Sequence, residues 1–245
     1  MKVSIITICY NEPDIEKTCE SIASQTYQDF QWVVIDGGSD NETIDVLNKY
    51  KNKINIFVSE EDNGVYHAMN KGIGLAGGEY LHFLNAGDCY FDKNSLQNIV
   101  KDLVSSDIVF GDLKFFQGDK SFVKEYPDEI PYGWLESDSL PHPASFIKKE
   151  LFKKYGLYNE KNRVVSDWEK WIEFVDVHKC TYKHVPTVVA IHNYNGISSV
   201  YDELHLGEIA KIKAKYYGSI RVGFRLKKIK KALKTRLMKI FKYFH

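Results

Sequence analysis

The run Val3-Ser4-Ile5-Ile6-Thr7-Ile8-Cys9-Tyr10 constrains this chain more than any other stretch. Apolar and β-branched residues follow one another with little polar alternation, the pattern of a strand buried on both faces. Such strands belong to parallel sheets covered by helices. Asn11-Glu12-Pro13-Asp14 breaks the run, and Pro13 suits a first helical turn. Ile15, Cys19, Ile22 and Ala23 then recur at helical spacing. The unit repeats. Gln31 to Ile35 predicts a second strand, closed by Asp36-Gly37-Gly38-Ser39-Asp40. There Ser39 or Asp40 can cap a helix carrying Ile44, Val46 and Leu47. Ile54 to Val58 predicts a third strand, then a turn over Glu60 to Gly64 and a helix from Val65 to Ala76. Tyr80 to Leu84 is a short strand ending at Asn85-Ala86-Gly87-Asp88. A helix near Ser95 to Val104 leads to a strand at Ile108 to Phe110. This alternation predicts an α/β fold with a mostly parallel, doubly wound sheet.

Four of the strand ends present polar groups: Thr7 to Glu12, Asp36 to Asp40, Glu60 to Asn63 and Asn85 to Asp88. Right-handed crossovers keep the carboxyl ends of parallel strands at one sheet edge, so Glu12, Asp36 and Asp88 can converge there. An acidic rim suits a divalent cation, Mg²⁺ or Mn²⁺, with substrate phosphates completing its shell. Helix capping by each acid separately is the competing explanation. With 44% hydrophobic residues among 245, the chain can fill a core. Cys9, Cys19, Cys89 and Cys180 have no metal-binding spacing, and no disulfide framework is expected. No apolar segment approaches the roughly 20 residues that span a bilayer, and no basic-then-apolar leader opens the sequence. A cytoplasmic compartment is the expectation.

These runs carry a resemblance. Val3 to Thr7 with Tyr10-Asn11-Glu12, Val33-Val34-Ile35-Asp36-Gly37-Gly38-Ser39-Asp40, Asp62 to Gly72 and Phe83-Leu84-Asn85-Ala86-Gly87-Asp88 resemble the inverting family 2 glycosyltransferases. The likeness covers residues 1 to about 200 and looks closest to bacterial enzymes of capsule, exopolysaccharide or O-antigen assembly. It implies a GT-A fold, a nucleoside diphosphate sugar donor, UDP-linked by preference, and transfer of a hexosyl or N-acetylhexosaminyl group to a lipid-linked or oligosaccharide acceptor. By matching position, Thr7, Tyr10 and Glu12 would line the nucleoside pocket, and Asp36 would accept from the base. Asn63 and Lys71 would lie along the donor, with Asn85, Ala86 and Gly87 beside it. Asp88 matches the last acid of the family's Asp-x-Asp motif and would bind Mn²⁺ or Mg²⁺. The first acid of that motif is missing here, and His67 replaces a usual acid.

Residues 115–140 predict a loop or hairpin excursion, and Pro141 to Ile147 a turn into a strand. Gly156 ends a short helix over Lys148 to Tyr155. His142 is a candidate contact to donor phosphate or acceptor, or a structural histidine. Ser166 can cap a helix in which Asp167 occupies the first turn, where the helix dipole favours an acid. The resemblance implies more for Asp167: the general base that deprotonates the acceptor hydroxyl, with Glu169 as fallback. Val185 to Ile191 predicts an edge strand, because Pro186 removes a ladder donor. His192 after it is a candidate second metal ligand, or a polar core residue.

The charge is uneven. The last 35 residues hold 13 of the 33 Lys and Arg and no Asp or Glu, leaving 20 basic against 33 acidic residues before them. Residues 1–203 read as the GT-A domain and 204–245 as a basic helical tail. In that tail Leu226, Ile229, Leu233, Leu237, Ile240, Phe241 and Phe244 form one apolar face among lysines. Such a helix suits a membrane interface, placing the protein at the inner face of the plasma membrane. Docking on the acidic body or a homodimer mate is the alternative, and nucleic acid fits poorly. Two competing functions remain on the sequence: a non-catalytic sugar-nucleotide or carbohydrate-binding module, and a nucleotidylyltransferase, which would want a Gly-rich basic loop where Asn11-Glu12-Pro13 stands.

Overall fold

Strand β1, Val3–Cys9, is hydrogen-bonded in parallel on both sides and buried at every residue. The computed structural model describes residues 1–12, 14–104, 106–117, 120–193 and 202–218. Helix α1 (Ile15–Ala23) returns the chain to β2 (Phe30–Asp36), and α2 (Glu42–Lys49) returns it to β3 (Ile56–Ser59). Helix α3 (Val65–Leu75) leads to β4 (Tyr80–Phe83), on the other side of β1. These four strands are parallel, with Cys9 beside Asp36, Asp36 beside Ser59 and Ile6 beside Phe83. Their carboxyl ends therefore lie at one edge, as the alternation predicts.

The second half adds β5 (Cys89–Tyr90), α4 (Ser95–Val100), β6 (Ile108–Gln117), β7 (Lys120–Lys124), β8 (Ser145–Lys148) and α5 (Lys149–Tyr155). Helix α6 (Ser166–Trp171) runs on as a π-helix over Ile172–Val177, then come β9 (Tyr182–Asn193) and helix α7 (203–218). The sheet order is β3-β2-β1-β4-β8-β6-β9-β5, with β7 paired to β6. Strand β8 inserts antiparallel between β4 and β6, while β6 and β9 run parallel to each other. The excursion after Phe110 is a hairpin: β6 runs on to Gln117 and pairs with β7.

Three local expectations are corrected. Asn41, not Ser39 or Asp40, caps α2, its Oδ1 accepting the Thr43 N–H at 3.0 Å. Ser166 does not cap α6: Val165 holds that position without a side-chain bond, and the Ser166 hydroxyl accepts the Asn159 N–H at 2.6 Å. Strand β9 is not an edge strand, since β6 flanks it on one side and β5 on the other. Pro186 fits because the β6–β9 register jumps from Phe110 beside His184 to Asp112 beside Val188, so it falls in a bulge where no ladder donor is needed. Pro13 and residues 219–245, including the proposed membrane face, lie outside the described residues.

The bulge is tight. A Cβ on Gly111 would sit 2.6 Å from the Thr187 carbonyl oxygen and 2.6 Å from Val189 Cγ2. Because backbone cannot give way as a side chain can, Gly111→Ala is expected to cost about 1–3 kcal/mol. A urea-denaturation midpoint equal to the parent's would contradict this packing.

Candidate active site

The turn after β4 is set by three loops meeting. Ala86 N–H donates to the Ile8 carbonyl at 3.0 Å, extending the β1 contact beyond the strand. Gly87 adopts φ 93°, a conformation glycine takes without strain. The Thr18 hydroxyl of α1 accepts Gly87 N–H at 3.0 Å and donates to the Asp88 carbonyl at 2.7 Å. Strand β5 follows at once, and its pairing of Cys89 with Ile191 brings Asp88 level with His192. His192 Nδ1 accordingly lies 2.6 Å from Asp88 Oδ1. Burial opposes charge on this imidazole, but Asp88 beside it and Asp167 further off outweigh that and raise its pKa above the usual range. Asp88 itself is only 6% exposed.

Asp167 stands in the first turn of α6, where an acid faces the positive helix end. The Tyr66 hydroxyl, from the first turn of α3, is 2.8 Å from Asp167 Oδ1 and 2.6 Å from the Val164 carbonyl. Burial first, then Asp167, holds this phenol far above its ordinary pKa, so it remains a donor. His142 sits between, buried and stacked on Phe83, with Nε2 2.9 Å from the Tyr158 hydroxyl. Burial lowers its pKa, against the pull of both Asp167 and Asp88. A cleft of about 790 Å³ joins these groups: Asp88, His192, His142 and Asp167 all line it.

The sequence-predicted residues divide accordingly. Tyr10, Glu12, Asn85, Ala86, Gly87, Asp88, His142, Asp167 and His192 line this one cleft. Thr7 does not, being fully buried with its hydroxyl accepting the Trp32 indole N–H at 3.1 Å. Asp36, expected to meet the base, is also fully buried. Its carboxylate accepts the N–H groups of Gly38 and Ser39 and the hydroxyls of Ser39 and Ser59. Lys71 pairs with Glu60 at 2.8 Å, and exposed Asn63 donates its N–H to His67 Nδ1 at 3.1 Å, so His67 closes the turn before α3. Glu169 turns away from the cleft, accepting from Lys215 at 2.8 Å and Asn162 at 2.8 Å.

Sequence reasoning passed over Asp62, Tyr66 and Arg163, which line the cleft. Asp62 Oδ1 accepts Gly64 N–H at 2.7 Å. A Cβ on Gly37 would lie 2.8 Å from Asp62 Oδ2, so that glycine makes room for the acid. Asp62 and Tyr66 both lie inside the motif already singled out, but nothing in the spacing says which of its side chains turn inward.

The same architecture occurs in solved structures. The chain is similar to S. aureus TarS 1–349 in complex with UDP-GlcNAc, with TM-score 0.69 and 20% identity over 89% of this chain and 68% of that one. It is also similar to the mannosyltransferase PcManGT from Pyrobaculum calidifontis in complex with GDP-Man and Mn²⁺, with TM-score 0.58 and 22% identity over 88% of this chain and 61% of that one. The fold is thus that of a GT-A glycosyltransferase. Residues 4–163 match the glycosyl transferase family 2 model, and the chain belongs to that family. A PGL/p-HBAD biosynthesis glycosyltransferase of Mycobacterium bovis is 31% identical over 233 residues, 91% of this chain and 87% of that protein. An uncharacterized glycosyltransferase of Rickettsia typhi is 29% identical over 198 residues, 74% of this chain and 61% of that protein. These findings make the protein an enzyme, a glycosyltransferase, and set aside the non-catalytic module and the nucleotidylyltransferase.

Asp36 also bears on stability. Burial alone would raise its pKa, but the surrounding hydroxyl and N–H donors lower it below the ordinary carboxylate value. A depressed native pKa adds stability above the unfolded value, about 3.9, that disappears as pH falls through the native one. Asp36→Asn is expected to lower stability by about 1.5–3 kcal/mol at neutral pH. That deficit should shrink below about pH 4. Denaturation curves with a gap that is constant from pH 7 to pH 3 would rule out this account.

Proposed function

We propose that this enzyme transfers a sugar from a nucleoside diphosphate donor, UDP-linked in the first instance, to a hydroxyl acceptor with inversion at the anomeric carbon. The observation that carries the reading is that Asp167 and the Asp88–His192 pair line one and the same cleft. Asp167 takes the acceptor hydroxyl proton as the new bond to the anomeric carbon forms. The bond from that carbon to the diphosphate breaks, and the nucleoside diphosphate leaves with the electron pair. The Tyr66 hydroxyl proton, shared between Asp167 Oδ1 and the Val164 carbonyl, orients the Asp167 carboxylate. Tyr10 and Glu12 receive the nucleoside, with Asp62 taking the place expected of Asp36.

The donor set fits a divalent cation. Asp88 offers a carboxylate and His192 an imidazole, while Asn85 Oδ1 is buried with no hydrogen-bond donor among the described residues. Among those residues no group of three or more His, Cys, Asp and Glu could hold a metal alone. Donor phosphates would therefore complete the shell, as Mg²⁺ and Mn²⁺ commonly require. When bound at Asp88 and His192, Mn²⁺ or Mg²⁺ would supply charge neutralisation for the departing diphosphate. TarS in complex with UDP-GlcNAc and PcManGT in complex with GDP-Man and Mn²⁺ support this choice of donor class and ion.

The acceptor we favour is a lipid-linked or oligosaccharide intermediate of bacterial surface polysaccharide assembly. No helix among the described residues is long and apolar enough to cross a membrane. The basic, apolar-striped sequence of residues 219–245 supports peripheral attachment to an anionic cytoplasmic leaflet. Liposome co-sedimentation should fall on deletion of residues 219–245, and unchanged sedimentation would remove this attachment.

The activity test is UDP release from a panel of UDP-sugars with Mn²⁺, with the product anomer read by NMR. Asp167→Asn should lower kcat by about 10²–10⁴-fold while UDP still binds. Asp88→Ala should abolish the Mn²⁺ dependence of UDP binding measured by titration calorimetry. A folded Asp167→Asn enzyme with parental turnover would refute the base assignment, and a retained anomeric configuration would refute inversion.

A further inference from the structure

Helix α7 lies beyond the residues matched by the family model, yet it packs on the element that carries Asp167. Ile212 and Tyr217 are buried there. Lys215 meets Glu169 at 2.8 Å, and the hydroxyls of Tyr216 and Tyr217 donate to Glu173 at 2.6 Å and Asp176 at 2.5 Å. These contacts fix the body of α6 and its π-helical continuation. A different contact reaches its start. Glu208 is 5% exposed, and its two carboxylate oxygens accept backbone N–H groups, Oε1 from Arg163 at 2.6 Å and Oε2 from Val164 at 3.1 Å.

Burying a carboxylate is costly unless its charge is taken up by donors. Here both oxygens are spent on adjacent amides, and hydrogen bonds to an ionised acceptor are the stronger kind. The cap position of α6, Val165, makes no side-chain hydrogen bond of its own. From the held peptide the chain of contacts is short. The single Tyr66 hydroxyl proton is shared between the Val164 carbonyl at 2.6 Å and Asp167 Oδ1 at 2.8 Å, which ties that carboxylate to the held peptide. Arg163, the other residue so held, lines the cleft.

We propose that Glu208 is a positioning residue: it clamps the Arg163 and Val164 amides and thereby aims the Asp167 carboxylate into the cleft. The proposal rests on Asp167 being the base. It assigns to α7 a part in the reaction, exerted through the backbone ahead of α6 rather than by touching substrate.

The test uses the full chain with Glu208→Gln, which keeps one acceptor oxygen, and Glu208→Ala, which keeps none. Circular dichroism first sets a temperature at which all forms are equally folded. Amide hydrogen exchange at Arg163 and Val164 should quicken by about tenfold or more in Glu208→Ala, less in Glu208→Gln, and not at all in β1. UDP release from the preferred UDP-sugar with Mn²⁺ should show kcat falling by about 10- to 100-fold in Glu208→Ala. KM for the donor should stay within about twofold, since the donor wall is untouched. Unchanged exchange in Glu208→Ala overturns the clamp. Quickened exchange with parental kcat, in an enzyme that Asp167→Asn inactivates, overturns the positioning role and leaves the base in place. Parental turnover in Asp167→Asn instead fells the base assignment, and this proposal with it, whatever Glu208→Ala does.

Discussion

Parallel pairing of β1 on both of its sides is the constraint from which the cleft follows. Continuous parallel ladders on both of its sides fix the register of this buried strand against β2 and β4. That register brings the ends of three strands to one level. The loops leaving them then crowd together, and their backbone groups must find partners among one another. Thr18 answers for the 85–88 turn and Asp36 for the Gly38–Ser39 turn, while Asn11 locks to Asp40 through paired bonds of 2.9 and 3.0 Å. This side of the cleft is thus an outcome of satisfying backbone polar groups at a sheet edge.

The rest of the cleft has a different origin. Strand β8 enters antiparallel and separates β4 from β6, and the chain after Phe110 contributes Leu113, Phe115, Lys124 and Tyr126 to the lining. Strand β9 then closes the molecule back onto β5, and this last pairing delivers His192 to Asp88. The two residues are 104 positions apart in sequence. Their contact depends on a two-residue strand and a bulged one keeping step. Electrostatics couple the walls: Asp167 contributes to the raised pKa of His192, and both acids act on buried His142 between them.

Much of the architecture was legible because burial on both faces leaves a plain signature. The strands around β1, the helices between them and the glycine-rich turns sit within a few residues of their predicted spans. The misreadings share a cause. Asp36 looked like a ligand contact because an acid at a strand end can face a cleft or its own loop, and sequence does not say which way it turns. Pro186 suggested an edge strand, since a bulge that spares its missing donor exists only once β6 lies alongside. Ser166 has the residue type of a cap but is engaged by Asn159. Glu169, once the fallback base, is consumed by a helix whose docking the local pattern does not reveal.

Sequence alone determined the α/β class, the side of the sheet at which polar loops gather, and the family that the motifs resemble. Each of these depends on local patterns: hydrophobic periodicity, turn residues and motif spacing. Tertiary structure decided which acids face the cleft, that Asp88 meets His192, and that α7 reaches back to the segment before Asp167. Those facts depend on pairings between residues far apart in the chain, where a side chain's direction is set by the neighbour that packs against it.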